Sequence, residues 1–153
     1  RRVGASGGGT PQRDAGHLSA LVRVVNLAGH KLPTGVGFRR AYLELQVLDG
    51  AGRPLWVSGR SDSQGVLIGP DGTPLASEFT SDPKALQPHH REITRPDQVQ
   101  IYEERSSDER GLLTTSFVGR FQRVKDNRLL PRGTDLLDAE HGACPQEMSG
   151  TSP

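Results

Sequence analysis

The sequence predicts an all-β fold: an antiparallel β-sandwich, jelly-roll or immunoglobulin-like, with long irregular loops. Three observations carry this. Short apolar runs alternate with period two, the spacing of a half-buried strand. Asp-Gly clusters punctuate them as turns. Gly 19 and Pro 11 among 153 residues are too many helix breakers for a helical bundle.

The elements follow in order. Residues 1–16 hold five glycines and almost nothing apolar, so they read as a flexible arm or linker. The sandwich domain is expected over 17–133. Leu18, Ala20, Val22 and Val24 alternate with Ser19, Leu21, Arg23 and Val25. Ala41, Leu43, Leu45 and Val47 repeat the pattern, with Tyr42, Glu44 and Gln46 opposite. Asp49-Gly50-Ala51-Gly52 then turns the chain into Pro54–Ser58, the expected hairpin partner. A short strand is expected at Val66-Leu67-Ile68 and a long irregular connection at 73–96. Gln98–Glu103 alternates cleanly, and Leu112–Val124 reads as either strand or short helix. Residues 134–153, with His141 and Cys144, read as a polar tail.

Composition excludes several classes. A chain of this length makes one ordinary domain, and 33% apolar residues leave it a thin core. Lys+Arg 19 against Asp+Glu 18 supplies no basic excess for nucleic-acid binding by counterion release. No apolar run approaches the length of a membrane span. The single cysteine, Cys144, excludes an internal disulfide and a four-cysteine zinc site. There is no Cys-x-x-Cys-His haem attachment site, phosphate-binding glycine loop, Gly-x-Ser-x-Gly elbow or His-Glu-x-x-His pair. With no nucleophile–base set either, the chain reads as not an enzyme. Asp49, Asp62 and Asp71, each beside glycines, are candidate oxygen donors for calcium, although turn chemistry alone explains such pairs.

The most distinctive stretch is Asn26 to Gly35, followed by Arg39-Arg40. Pro33 and Gly35 frame a turn between strands. Two readings of His30 stand side by side. It bonds the backbone and fixes the loop, with one arginine packed inward against a carboxylate, or its imidazole ligates iron. His89 and His90 are adjacent, so on a strand they face opposite ways and cannot share one metal. Lys125-Asp126-Asn127-Arg128 reads as an internal ion-pair and hydrogen-bond cluster, with Asp126 facing an arginine such as Arg39 or Arg40.

Four ordered blocks carry a family resemblance: Gly29-His30-Lys31-Leu32-Pro33-Thr34-Gly35 with Arg39-Arg40; Pro88-His89; Asp97 to Glu103, with Gln98 and Tyr102; and Lys125 to Gly133, with Asp126, Asn127 and Arg128. Together they resemble the β-sandwich domain that follows the haem-binding region in bacterial multihaem c-type cytochromes. The resemblance implies a structural part for these motif residues, and a place near haem for His30 and His89, as candidate axial ligands; His90 is expected to be solvated. It also implies a haem-free docking domain or accessory subunit of an electron-transfer complex on the periplasmic or extracellular face of a membrane. Its partners would be protein subunits such as a c-type cytochrome, with haem c held by the neighbour and none bound covalently here. The family's haem-attachment motifs and its later strands are missing, so the chain is expected to be part of a longer protein or a separated subunit with an open edge. The competing expectation is a ligand-binding or adhesion sandwich without a redox role, using the 73–96 loop.

Overall fold

The computed structural model describes residues 11–35, 38–131 and 134. Residues 1–10 of the expected arm, and all of the expected tail but residue 134, including His141 and Cys144, lie outside the described residues. The fold is all-β and sandwich-like, made of antiparallel sheets. Its strands are β1 (Gln12–Asp14), β2 (His17–Ser19), β3 (Arg40–Tyr42), β4 (Leu45–Leu48), β5 (Pro54–Ser58), β6 (Ile101–Ser107), β7 (Leu113–Thr114) and β8 (Gln122–Asp126). A single 3-10 turn at Pro83–Ala85 is the sole helical element among the described residues.

The central sheet is organised by β6. Its first half pairs with β3, setting Arg40 opposite Glu103 and Tyr42 opposite Ile101. Its second half pairs with β7 on one edge and β8 on the other, with Glu104 opposite Asp126 and Arg105 opposite Lys125. The hairpin β4–β5 forms a second sheet and β1–β2 a third. Residues 12–14, placed in the arm by composition, thus pair with residues 17–19.

Elsewhere the strands depart from the alternation. The run from Leu18 to Val25 pairs only as far as Ser19, and Leu21, Val22, Val25 and Leu27 are exposed. Alternation makes a strand only where a neighbour supplies the ladder. The run from Ala41 to Val47 breaks at Leu43-Glu44 into strands of different sheets. Gly59 packs against that break with φ +77, and a Cβ there would lie 2.1 Å from the Leu43 carbonyl oxygen. Only glycine allows that approach. The expected strand Val66–Ile68 contracts to single bridges, Leu67 to Ser61 and Ile68 to Pro74.

Three loops share one device. Asp49, Asp62 and Asp108 each accept, on one carboxylate oxygen, the N–H groups two and four residues on, at 2.8–3.0 Å. The glycine three residues on, at positive φ, closes each loop. This Asp-x-x-Gly geometry is turn chemistry in which the carboxylate replaces missing backbone partners. Asp71 accepts the N–H and hydroxyl of Thr73 instead.

The apolar core is small: Leu67, Val99 and Ile101, with Tyr42 and Leu75 against them. The rest of the interior is polar. Glu103, Glu104, Ser106 and Ser107 on β6, and Lys125, Asp126 and Asn127 at the end of β8, are all buried.

Candidate functional site

The four motif blocks, dispersed over a hundred residues, meet along β6 and β8. Leu32 and Leu129 exchange two backbone hydrogen bonds of 2.9 Å, joining the first block to the last. Asn26, just ahead of the first block, reinforces the joint. Its buried amide donates to the carbonyls of His30, Leu129 and Leu130 and accepts from the N–H of Ala28. Asn26, rather than His30, therefore holds this loop.

Two polar clusters follow. In the first, Asp126 accepts from Lys31 at 3.1 Å and from both sides of the Arg128 guanidinium at 2.8 and 2.9 Å. Glu104 lies beside it and takes Arg128 at 2.7 Å, Arg120, and Arg123 at 3.6 Å. Burial raises the Asp126 pKa, but the bonds from Arg128 and Lys31 outweigh it and hold the carboxyl at about 2. The expectation that Asp126 faces an arginine of the first block is corrected. Arg40 instead forms a two-pronged pair with Glu78 at 2.6 and 2.7 Å, and Arg39 is exposed with only a 3.4 Å bond to the Thr34 carbonyl. The reason is reach: Arg40 sits opposite Glu103 on β3, on the other edge of β6 from Asp126.

In the second cluster, Asn127 continues the β8 pairing with its side chain, donating to the Ile101 carbonyl and accepting from the Glu103 N–H. Lys125 bonds Glu103 and the Gln87 carbonyl, each at 2.8 Å. Burial lowers the Lys125 pKa, and Glu103 opposes that. Gln100 links the two histidines: its oxygen accepts the His90 backbone N–H at 2.6 Å and its nitrogen donates to His89 Nδ1 at 2.9 Å. The Tyr102 ring meets His89 edge-on. His90, expected to be solvated, is half-buried, with Nε2 bonded to Gln87 at 2.8 Å. Burial, then the charges of Lys125 and His89, lower its pKa.

The two candidate ligands differ in tautomer. A histidine that ligates through Nε2 normally donates its Nδ1–H to a carbonyl or carboxylate. His89 Nδ1 faces the amide nitrogens of Gln100 at 2.9 Å and Asn127 at 3.4 Å, so it acts as an acceptor and the ring proton sits on Nε2. That arrangement is wrong for an Nε2 ligand. His30 is exposed, and its Nδ1 lies 3.0 Å from the Lys31 carbonyl. There Nδ1 must donate, which leaves the Nε2 lone pair facing outward.

Pro33 is buried while Thr34 and Gly35 are exposed beside Arg39, and Gln98 caps the loop ahead of β6 by accepting the N–H groups of Thr94 and Arg95. Asp49, Asp62 and Asp71 sit in separate turns, and among the described residues no three His, Cys, Asp or Glu side chains gather in metal-binding geometry. No described helix is long and apolar enough to cross a membrane. Sequence reasoning missed Glu78, Gln87, Glu104, Arg120 and Arg123, and included Asn26 and Gln100 only within their stretches, without a role. Glu103 and Glu104 carry the one available signal, two acids in the middle of a strand. No family model, curated protein or solved structure matches the chain.

Proposed function

We propose that the chain is a haem-free, non-catalytic docking domain completed by a protein partner, in the electron-transfer setting implied by the motif resemblance. The observation that carries docking is where the apolar side chains lie. Leu67, Val99, Ile101 and Tyr102 are the buried hydrophobic residues, whereas Leu21, Leu27, Leu55, Phe79, Val118 and Phe121 are each at least 70% exposed. Large apolar side chains left in water in this number support a covering partner. The motif residues support a non-catalytic reading, because their polar groups bond one another. His30 is the one motif imidazole whose tautomer suits an iron presented by a neighbour, which makes it the candidate axial ligand within an assembly. The 73–96 loop, by contrast, is bound into the fold through Glu78, Gln87, His89 and His90, which counts against a ligand-recognition role.

The test is photo-crosslinking in the native host from reactive residues placed at Leu21, Leu55 and Phe121, with staining for covalent haem. The expected result is a cross-linked partner carrying haem c. A haem-free partner overturns the redox setting, and no cross-link at any position overturns docking itself.

A further inference from the structure

Taken together, the two clusters are unbalanced. Among the described residues, Glu103, Glu104 and Asp126 are shared by Lys31, Arg105, Arg120, Arg123, Lys125 and Arg128. Six cations face three carboxylates, in a chain whose net charge is only +1. The carboxylates and Lys125 are buried, Arg128 nearly so, and Lys31, Arg105, Arg120 and Arg123 form the rim. Arg123 is the outermost: its side chain is 54% exposed, and its nitrogens stand 3.6 Å from Glu104 and 3.7 Å from Asp126. Those separations steer a guanidinium without satisfying its N–H donors. Arg123 thus leans on the two carboxylates through Nε and one terminal nitrogen without a hydrogen bond to either, and its half-exposed guanidinium keeps donors for a carboxylate from a partner.

Apolar surface adjoins it. Phe121, two residues before Arg123, is exposed, as is Val118, and the two border a shallow open depression of about 340 Å³ shared with Arg120 and the turn at Asp108–Arg110. Phe117 extends the surface through an edge contact with Phe38.

Resting on the docking reading, we infer that the Arg120–Arg123 rim and the Val118–Phe121 surface together form the seat for an acidic segment of a protein partner, one that carries apolar or aromatic side chains among its carboxylates. Charge complementarity at the Arg123 rim selects the carboxylates, while the depression itself, with Asp108 and Glu109 beside Arg110 and Arg120, is balanced; the apolar shelf distinguishes a protein segment from a bare polyanion. Aromatic and arginine groups side by side are the composition of interface centres.

The probe is a glutamate–tyrosine copolymer titrated into the isotope-labelled chain and followed by amide chemical shifts, with inorganic tripolyphosphate as the rival ligand. Expected are shifts concentrated at 117–128, and an affinity that falls about tenfold in Arg123→Glu and also falls in Arg123→Gln. Arg95→Glu, at an exposed arginine paired with Asp97, leaves it unchanged. Unfolding curves of each variant separate lost binding from lost structure. Copolymer binding that ignores Arg123, or tighter seating of tripolyphosphate on the same residues, overturns the inference. Cross-links that form at Leu55 or Leu21 but never at Phe121 also remove this surface while leaving docking intact, whereas no cross-link anywhere removes docking.

Discussion

The two ends of β6 are buried by opposite means. At its start, Ile101 joins Leu67 and Val99 in a dry cluster. Two residues on, Glu103 and Glu104 are buried just as deeply, but among charges from β8 and the first motif block. Both ends exclude water. The apolar end does so non-directionally, and its stability follows the area and volume filled. The charged end succeeds only if every group finds a partner, since an unpaired buried charge costs several kcal/mol. The comparison explains why the motif residues occur as blocks: Lys31 and Arg128 meet on Asp126, Asn26 ties the His30 loop to Leu129 and Leu130, and Asn127 ties the end of β8 to β6, so loss of one leaves a buried partner unsatisfied.

Removal of one carboxylate is expected to have the largest effect. Glu104→Ala takes the carboxylate from Arg120 and one of the two carboxylates from Arg123 and Arg128, and should lower stability by about 3–5 kcal/mol in urea unfolding followed by Trp56 fluorescence. Leu67→Ala at the apolar end should cost about 2–4 kcal/mol by the same measurement. A loss at Glu104 no larger than that of an exposed site would show that the charged end contributes little.

Acid sharpens the contrast, because the apolar cluster of Leu67, Val99 and Ile101 holds nothing that titrates, whereas the polar groups around it do. The unfolded chain protonates His90 at its ordinary 6.5, whereas burial lowers the folded value, so stability begins to fall as pH drops through 6.5. The Asp126 contribution is fully present above its ordinary 3.8 and is lost between 3.8 and about 2. That second step is on the order of 1–2 kcal/mol after solvent screening. The urea midpoint should fall in two stages in the wild type, and the lower stage should shrink in Asp126→Asn, since Asp49, Asp71 and Asp97 are also held below the ordinary carboxylate range by their local bonds. His30→Ala is expected to have the smallest effect, within about 0.5 kcal/mol, because the ring is exposed and bonds only its neighbour's carbonyl.

The same contrast sets what could be read in the sequence. The all-β fold and the β4–β5 hairpin were legible because Asp49-Gly50-Ala51-Gly52 states its turn locally. The ion-pair cluster at Lys125–Arg128 was legible as a type, but its partners were not, since Lys31 and Glu104 reach it only through strand pairing. The strand Gln98–Glu103 was placed three residues early: Gln98 caps the preceding loop, and β6 runs on through Glu104 and Arg105. A pattern that reads charge as exposure cannot see burial by ion pairing. The alternation at Leu18–Val25 misled in the opposite direction, because nothing in a run of residues tells whether a neighbouring strand exists.

The account depends most on the apolar surface at Val118 and Phe121 being free for a partner rather than part of the chain's own core. The direct measurement is the double variant Val118→Ser/Phe121→Ser, assayed for urea stability and for glutamate–tyrosine copolymer binding. The account predicts stability within about 1 kcal/mol of wild type and binding reduced at least as far as in Arg123→Gln. A double variant that unfolds, or one that binds the copolymer as well as the wild type, would contradict it.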